Sequence, residues 1–213
     1  MLYKKYILFS ILILFSACSS NSLTNLSDAK YNIKKYYEEG QYNKELNSIV
    51  DLEIEYFEKY KTKPNDAVVF DVDETVLDSY QYIKSIDYGY DFDLWNKWMD
   101  KAEALQIEPA KRLYNYFVQK GIKIIFLTGR SYYSCDATYK NLINVGFDKF
   151  DTLICRNKEE IKKSSLEYKT YHRKELSQNG YNIIACVGDQ ETDLIGGYTG
   201  KTIKFPNYIY KID

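Results

Sequence analysis

Four short apolar runs constrain the fold of this chain more than any other feature. Val68-Val69-Phe70, Ile122 to Leu127, Thr152 to Cys155 and Ile183 to Val187 are rich in β-branched and aromatic side chains. Strands that are apolar at successive positions, not at alternate ones, are covered on both faces. Between these runs lie helical patterns. One spans Glu108 to Lys120, with Pro109 suited to a first turn and Gly121 to an end; another spans Cys135 to Asn144 and stops at Gly146. Strands alternating with helices predict an α/β fold, a Rossmann-like parallel sheet with helices on both faces and right-handed connections. A length of 213 residues suits one domain with a sizeable core.

Ahead of the first strand, Ala29 to Tyr60 reads as a helical extension interrupted at Gly40. Leu46, Val50, Ile54 and Phe57 form one apolar stripe along it. Lys61 to Asp66, with Pro64, links this extension to the sheet.

The ends of the strands carry the chemistry. Asp71 and Asp73 follow Val68-Val69-Phe70 two positions apart, so on extended backbone they point the same way. Carboxylates that close repel, and burying them costs free energy unless a cation lies between them. The second run delivers Thr128-Gly129-Arg130, where a hydroxyl and backbone N–H groups at a strand tip make a phosphate cradle. The fourth delivers Gly188-Asp189 and then Asp193. Short oxygen-bearing side chains of this kind suit Mg²⁺; a helix N-cap with a first-turn acid is the alternative and does not exclude metal binding.

These stretches resemble one family. Asp71-Val72-Asp73-Glu74-Thr75-Val76-Leu77 resembles the first motif of the haloacid-dehalogenase-like (HAD-like) acid phosphatases, subfamily IIIB. Bacterial class C lipoprotein phosphatases and plant acid phosphatases belong to that branch. Tyr168-Lys169 with Arg173, Asp189 with Asp193, and Lys204-Phe205-Pro206-Asn207-Tyr208 resemble its later signatures, so the likeness runs from about Gln41 to Tyr210. Glu191-Thr192 stands where the plant enzymes usually have Trp-Ser.

The resemblance implies roles. Asp71 is expected to attack phosphorus and Asp73 to act as general acid and base. Thr128, Gly129 and Lys169 are expected to bind phosphate, with Lys169 preferred over Lys158, Lys162 and Lys163. Asp71, Asp73 (through its carbonyl), Asp189 and Asp193 are expected to hold Mg²⁺. The implied activity is Mg²⁺-dependent hydrolysis of small phosphomonoesters through an aspartyl-phosphate. The alternatives are phosphoryl transfer to an alcohol, or a catalytically silent binding or storage protein on the same fold.

Residues 79–107 fall where this superfamily inserts a cap, and the segment is aromatic. Trp95 and Trp98 share a helix face. Tyr80, Trp95, Trp98 and Arg130 are candidate substrate-lining residues, although the rings would serve equally to anchor the cap to the core. A flat leaving group, such as a nucleobase or aryl ring, would suit a ring-lined mouth.

The amino terminus reads as a leader. Lys4 and Lys5 precede an apolar run from Tyr6 to Phe15 that is too short to span a bilayer. Ala17-Cys18-Ser19 then resembles a lipoprotein processing site. Residues 1–17 are therefore expected to be a signal peptide and Cys18 a lipid anchor. Residues 18–30 would be a flexible tether and 31–213 the phosphatase domain. This predicts an exported protein tied through its lipid to a membrane, the bacterial outer membrane facing periplasm or surface. Some relatives dimerise, which makes a homodimer an expectation.

Of the remaining cysteines, Cys135, Cys155 and Cys186 allow one disulfide at most. A Cys155–Cys186 pair is disfavoured by strand position, and all three read most simply as small buried side chains. With 29 basic and 30 acidic residues there is no reason to expect a nucleic-acid polymer as partner. With a single histidine, His172, mechanisms that need a nucleophilic histidine plus further histidines lack the parts, and His172 reads as a surface or structural residue. No cysteine is followed by arginine six positions later, so a phosphocysteine loop is absent too. The charge-rich stretch Arg156 to Lys163 reads as a solvated loop or helix face.

Overall fold

A computed structural model describes residues 23–212. The expected signal peptide and Cys18 lie outside the described residues. In chain order the elements begin with α1 (Leu26–Glu38), α2 (Gln41–Glu58), β1 (Asp66–Phe70), β2 (Leu77–Asp78), α3 (Tyr80–Ser85), α4 (Phe92–Met99), β3 (Leu105–Gln106) and α5 (Glu108–Gln119). They continue with β4 (Lys123–Ser131), α6 (Cys135–Asn144), β5 (Thr152–Arg156), α7 (Ser165–Gln178), β6 (Asn182–Gly188) and β7 (Lys201–Lys204).

Five strands form one parallel sheet in the order β5-β4-β1-β6-β7. The three acid- or hydroxyl-bearing strand ends are therefore central and adjacent. Alternation along β1 splits the core into two layers. Val68 and Phe70 face α2, α5 and α6, meeting Leu46, Val50, Leu113, Phe117 and Leu142. Ala67 and Val69 face the other way, onto Tyr168 and Leu176 of α7. Helices thus cover both faces, as the continuous apolar runs require. Along α2, Leu46, Val50 and Phe57 are buried and Ile54 is half-buried.

Several features depart from expectation. α1 begins at Leu26, where Asn25 caps it by accepting from the Ser27 N–H at 2.9 Å. The tether therefore ends before residue 30. β2 and β3 pair antiparallel, Leu77 with Gln106 and Asp78 with Leu105, so the insertion leaves and returns through one short ladder. β7 is a further edge strand whose weak apolar content gave no strand signal.

Cys135 and Cys155 form a disulfide, and Cys186 is the free, buried thiol. Cys135 opens α6 directly after β4, and Cys155 lies on β5, the neighbour of β4. That places their Cα atoms 6.0 Å apart. The stretch from Arg156 to Lys163 is also not simply solvated, because Arg156 and Glu160 are both buried. Arg156 donates from Nη1 to the carbonyls of Glu160 and Lys163, at 3.0 and 2.7 Å. Glu160 accepts from the Asn157 N–H and meets His172 Nε2 at 2.9 Å, which gives His172 its structural place.

Candidate active site

Asp71 leaves β1 with its N–H still donating to Val187 O of β6, so it is fixed at the sheet's carboxyl edge. The chain then closes a tight loop. The N–H groups of Val76 and Leu77 both donate to Val72 O at 2.9 Å, and Glu74 takes a left-handed φ of 51°.

Three acids converge. Ligand oxygens of Asp71, Asp189 and Asp193 lie within 4.8 Å of one another, and all three residues are buried. Lys169, from α7, donates Nζ to Asp71 Oδ1 at 2.6 Å and to Asp193 Oδ1. Gly188 makes this convergence possible, since a Cβ there would overlap the Asp193 side chain. Arg173, fully buried, donates Nη1 to Asp193 O at 2.8 Å and Nε to Gly197 O at 3.1 Å, holding the loop that carries Asp193.

Asp189 is oriented by neutral donors: Gln190 Nε2 at 2.6 Å and Asn207 Nδ2 at 2.7 Å on Oδ2, and the Thr75 hydroxyl at 3.2 Å on Oδ1. One ammonium among three buried carboxylates leaves excess negative charge. Burial therefore raises the carboxyl of Asp71 well above its ordinary value despite Lys169. It raises that of Asp189 to about 6, with Asp193 adding to the effect. Lys169 itself is held above its usual basicity; burial opposes this, but Asp193 and Asp71 outweigh it. An all-oxygen, over-negative cluster fits a hard divalent cation.

Asp73 stands apart from that cluster. Its carboxylate is gripped by Arg130, with Nε at 3.0 and 3.1 Å from the two oxygens and Nη2 at 2.7 Å from Oδ1. Arg130 Nη1 donates to Thr138 Oγ1 at 3.0 Å, which anchors the fork to α6. The expected metal role of Asp73 is thus not one for its side chain. Thr128 is fully buried, and its Oγ1 accepts from the Arg130 N–H at 3.1 Å, while Gly129 is exposed beside it.

A cavity of about 490 Å³ opens over this site. Asp71, Asp73, Gly129, Arg130, Lys169 and Asp189 all line it. Tyr82, Ile83, Tyr88, Tyr90 and Trp95 of the insertion form another part of its wall. Two aromatic candidates fall elsewhere. Tyr80 stacks on Tyr37 at 4.5 Å, donates its hydroxyl to Glu38, and lines a separate cleft with Asp78. Tyr80 and Tyr82 are two apart on α3 and so face different ways. Trp98 lies behind the wall, stacked on Tyr82 at 4.9 Å and against Trp95 at 5.0 Å, braced on the core.

Three further contributions were given no role by the sequence. The tail residues Ile209, Tyr210, Lys211 and Ile212 line the cavity. The tail is laced to the acid loops, with Tyr210 Oη donating to Glu74 Oε2 and Ile212 N–H donating to Gln190 Oε1 at 2.9 Å. Glu74, buried, accepts on Oε1 from the Ser79 hydroxyl and N–H. Burial, with Asp73 and Asp189 nearby, pushes its carboxyl up to about 8. Arg156 and Ser165 also line the wall.

Known proteins are similar to this chain. The Stem 28 kDa glycoprotein of Glycine max is 33% identical over 84% of this chain and 73% of its own length. Acid phosphatase 1 of Solanum lycopersicum is 31% identical over 84% and 73%, and Vegetative storage protein 1 of Arabidopsis thaliana 29% over 91% and 75%. Among solved structures, the class C acid phosphatase from Bacillus anthracis superposes with a TM-score of 0.69. That match covers 87% of this chain and 86% of that one at 24% identity, and it shows the fold. A family model for HAD superfamily subfamily IIIB, the acid phosphatases, matches residues 17–213 and so takes in every residue of the site. It is to this family that the chain belongs.

Proposed function

We propose that this acid phosphatase hydrolyses phosphomonoesters in two steps, with Asp71 as nucleophile. The observation that carries the reading is the position of Asp71: it ends the central strand, is bridged by Lys169 to Asp193, and shares its cluster with Asp189 on one cavity wall. Asp71 attacks phosphorus, the P–O bond to the leaving alcohol breaks, and an aspartyl-phosphate forms. Water then cleaves that acyl phosphate and regenerates Asp71.

Asp73 is the proton carrier. It gives a proton to the departing oxygen and takes one from the attacking water. Its grip by Arg130 fits this role if the incoming phosphoryl oxygens draw the guanidinium to themselves and free the carboxyl. Lys169 supplies a fixed positive charge beside the nucleophile, and the Gly129 N–H and the Thr128 hydroxyl cradle phosphate. Asp71, Asp189 and Asp193 would hold Mg²⁺, which supplies charge neutralisation between the anionic nucleophile and the anionic substrate.

The cavity far exceeds a phosphate group, and its ring-lined wall of Tyr82, Tyr88, Tyr90 and Trp95 suits a flat leaving group. Nucleoside monophosphates and aryl phosphates are the proposed substrates. A storage role like that named for the Arabidopsis relative would not need the bridged acid cluster, which is complete here. Phosphoryl transfer to an alcohol uses the same site, and comparing free phosphate with released alcohol in acceptor-rich buffer separates the two.

Asp71→Asn is expected to abolish turnover with circular dichroism unchanged, and EDTA to silence the enzyme until Mg²⁺ is restored. Undiminished hydrolysis by the Asn variant would refute the mechanism. The same proposal places the protein outside the cytoplasm on a lipid at Cys18. The disulfide suits an oxidising compartment, and no described helix is long and apolar enough to cross a membrane. Intact-mass analysis of the detergent-extracted protein tests the lipid, and its sedimentation tests the expected homodimer.

A further inference from the structure

The cavity wall holds a positive charge that the mechanism does not use. Arg156 ends β5 in register with Ser131, at the same sheet edge as Asp71 and Thr128, and it is 8% exposed. Its guanidinium donates to two carbonyls, Glu160 O and Lys163 O, and from Nη2 to Ser165 Oγ at 3.0 Å, and it lies 4.5 Å from the Tyr168 ring. Every one of these partners is neutral. Arg130 and Lys169, by contrast, are ion-paired to Asp73 and to Asp71 and Asp193. Among the described residues Arg156 makes no ion pair; the Glu160 carboxylate attracts it from a distance but is bonded to Asn157 and paired with His172 and Lys163.

A guanidinium has five N–H donors in a planar fork, and three are accounted for by these bonds. Burying an unpaired charge is costly, and burial holds this guanidinium below its usual basicity. A loop could be clamped by neutral donors without that cost. Arg156 and the Ser165 that it bonds both line the cavity, so this edge of the guanidinium lies at the wall.

We infer that Arg156 receives a second anionic group, carried on the leaving-group side of the substrate. Resting on the phosphatase reading of the site, this narrows the substrate class. The preferred monoesters bear a carboxylate or a second phosphate besides the one that is cleaved. No bond is made or broken at Arg156; its contribution is a charge-assisted hydrogen bond in a site of low dielectric.

The test compares 4-carboxyphenyl phosphate with the near-isosteric, neutral 4-carbamoylphenyl phosphate, and adenosine 3′,5′-bisphosphate with adenosine 5′-monophosphate, all with Mg²⁺. Wild-type kcat/KM is expected to favour the dianionic-plus-anionic member of each pair. The preference should shrink several-fold between low and high salt, because an attraction between charges is screened. Arg156→Gln is expected to cut the ratio within each pair at least tenfold, and Arg156→Lys to restore part of it. A preference in the first pair alone identifies a carboxylate as the group received; in the second alone, a phosphate.

A wild-type enzyme that is indifferent within both pairs overturns the inference. So does an Arg156→Gln variant that lowers both members of each pair by the same factor, as a clamp of the 157–165 loop would. If the Gln variant does not fold, Arg156→Lys carries the assignment: it should keep only part of the wild-type preference, and a Lys variant with the full wild-type ratio overturns the inference. Failure of the wild type to hydrolyse any of the four esters would instead sink the phosphatase reading beneath it.

Discussion

Lys169→Met is the substitution that most directly probes how the site is held together. The ammonium is buried, with Nζ 2.6 Å from Asp71 Oδ1 and also bonded to Asp193, while Asp189 completes the acid cluster. Met keeps the length and most of the packing and removes only the cation. At an effective dielectric near 20, each close contact is worth roughly 4 kcal/mol gross, and desolvation of the ammonium takes back several kcal/mol. Breaking a buried pair so that its partners are left uncompensated costs about 3–5 kcal/mol net. That is a third or more of the total stability of many domains.

Two controls give the prediction a sign. Asp71→Asn removes one repelling charge and leaves Lys169 paired to Asp193, so in EDTA it should be as stable as wild type or more so, while losing turnover. Mg²⁺, binding only the folded acid cluster, should restore more stability to Lys169→Met than to wild type. Urea unfolding followed by tryptophan fluorescence, in EDTA and in Mg²⁺, measures all three. If Lys169→Met unfolds at the wild-type urea midpoint in EDTA, or Asp71→Asn falls as far as Lys169→Met, the excess-charge account is wrong.

Three further outcomes are expected. Replacing Cys135 and Cys155 together by serine removes a cross-link between residues 20 apart, and chain entropy puts the cost at about 3 kcal/mol; dithiothreitol should lower the wild-type urea midpoint equally. Burial would raise Glu160, but the Asn157 N–H and His172 outweigh it and hold the carboxyl below its ordinary value. Its stabilisation is therefore present above about pH 4.5 and lost as pH falls through the folded value. Glu160→Gln should cost roughly 1–2 kcal/mol at pH 7, with the gap to wild type closing below pH 4 in urea titrations. Tyr210→Phe leaves a buried oxygen of Glu74 without its donor, a loss of about 1–3 kcal/mol. It should also raise KM for nucleotide substrates more than it lowers kcat, since the tail forms part of the wall.

The sheet was legible because its signal is local. Runs such as Ile122 to Leu127 state their own burial, and Pro109 and Gly121 mark the ends of α5 within two residues. Asp71, Asp73 and Asp189 were legible for another reason, namely that they stand within three residues of the end of such a run, whereas Asp193 was marked by its place in the family signature. Tyr80 misled because the aromatic segment was read as one surface. The two-residue step to Tyr82 already placed those rings on opposite sides of a helix. The disulfide needs the β4–β5 register before Cys135 and Cys155 become neighbours, and spacing along the chain does not contain that.

Charged residues are the harder case, and the reason is physical. An apolar side chain is buried on its own account, whereas a charged one is buried only if partners arrive. At this site the partners come from far away: Asp71 meets Lys169 98 residues on, and Glu74 meets Tyr210 136 residues on. In the sequence, Arg156 is therefore indistinguishable from the many bases that stay in water, and Glu74 is marked only by standing inside a family motif, with nothing to show its burial. Lys169 could be chosen over Lys158, Lys162 and Lys163 only because its neighbours resemble a family signature. In the structure a different criterion separates buried charges, the balance of each with its surroundings. Arg173 is fully enclosed by carbonyls of the Asp193 loop and lies outside the cavity wall, so its charge serves the loop. Arg156 likewise makes no ion pair among the described residues but stands on the wall. That difference makes Arg156, and not Arg173, the cation with charge to spare for a ligand.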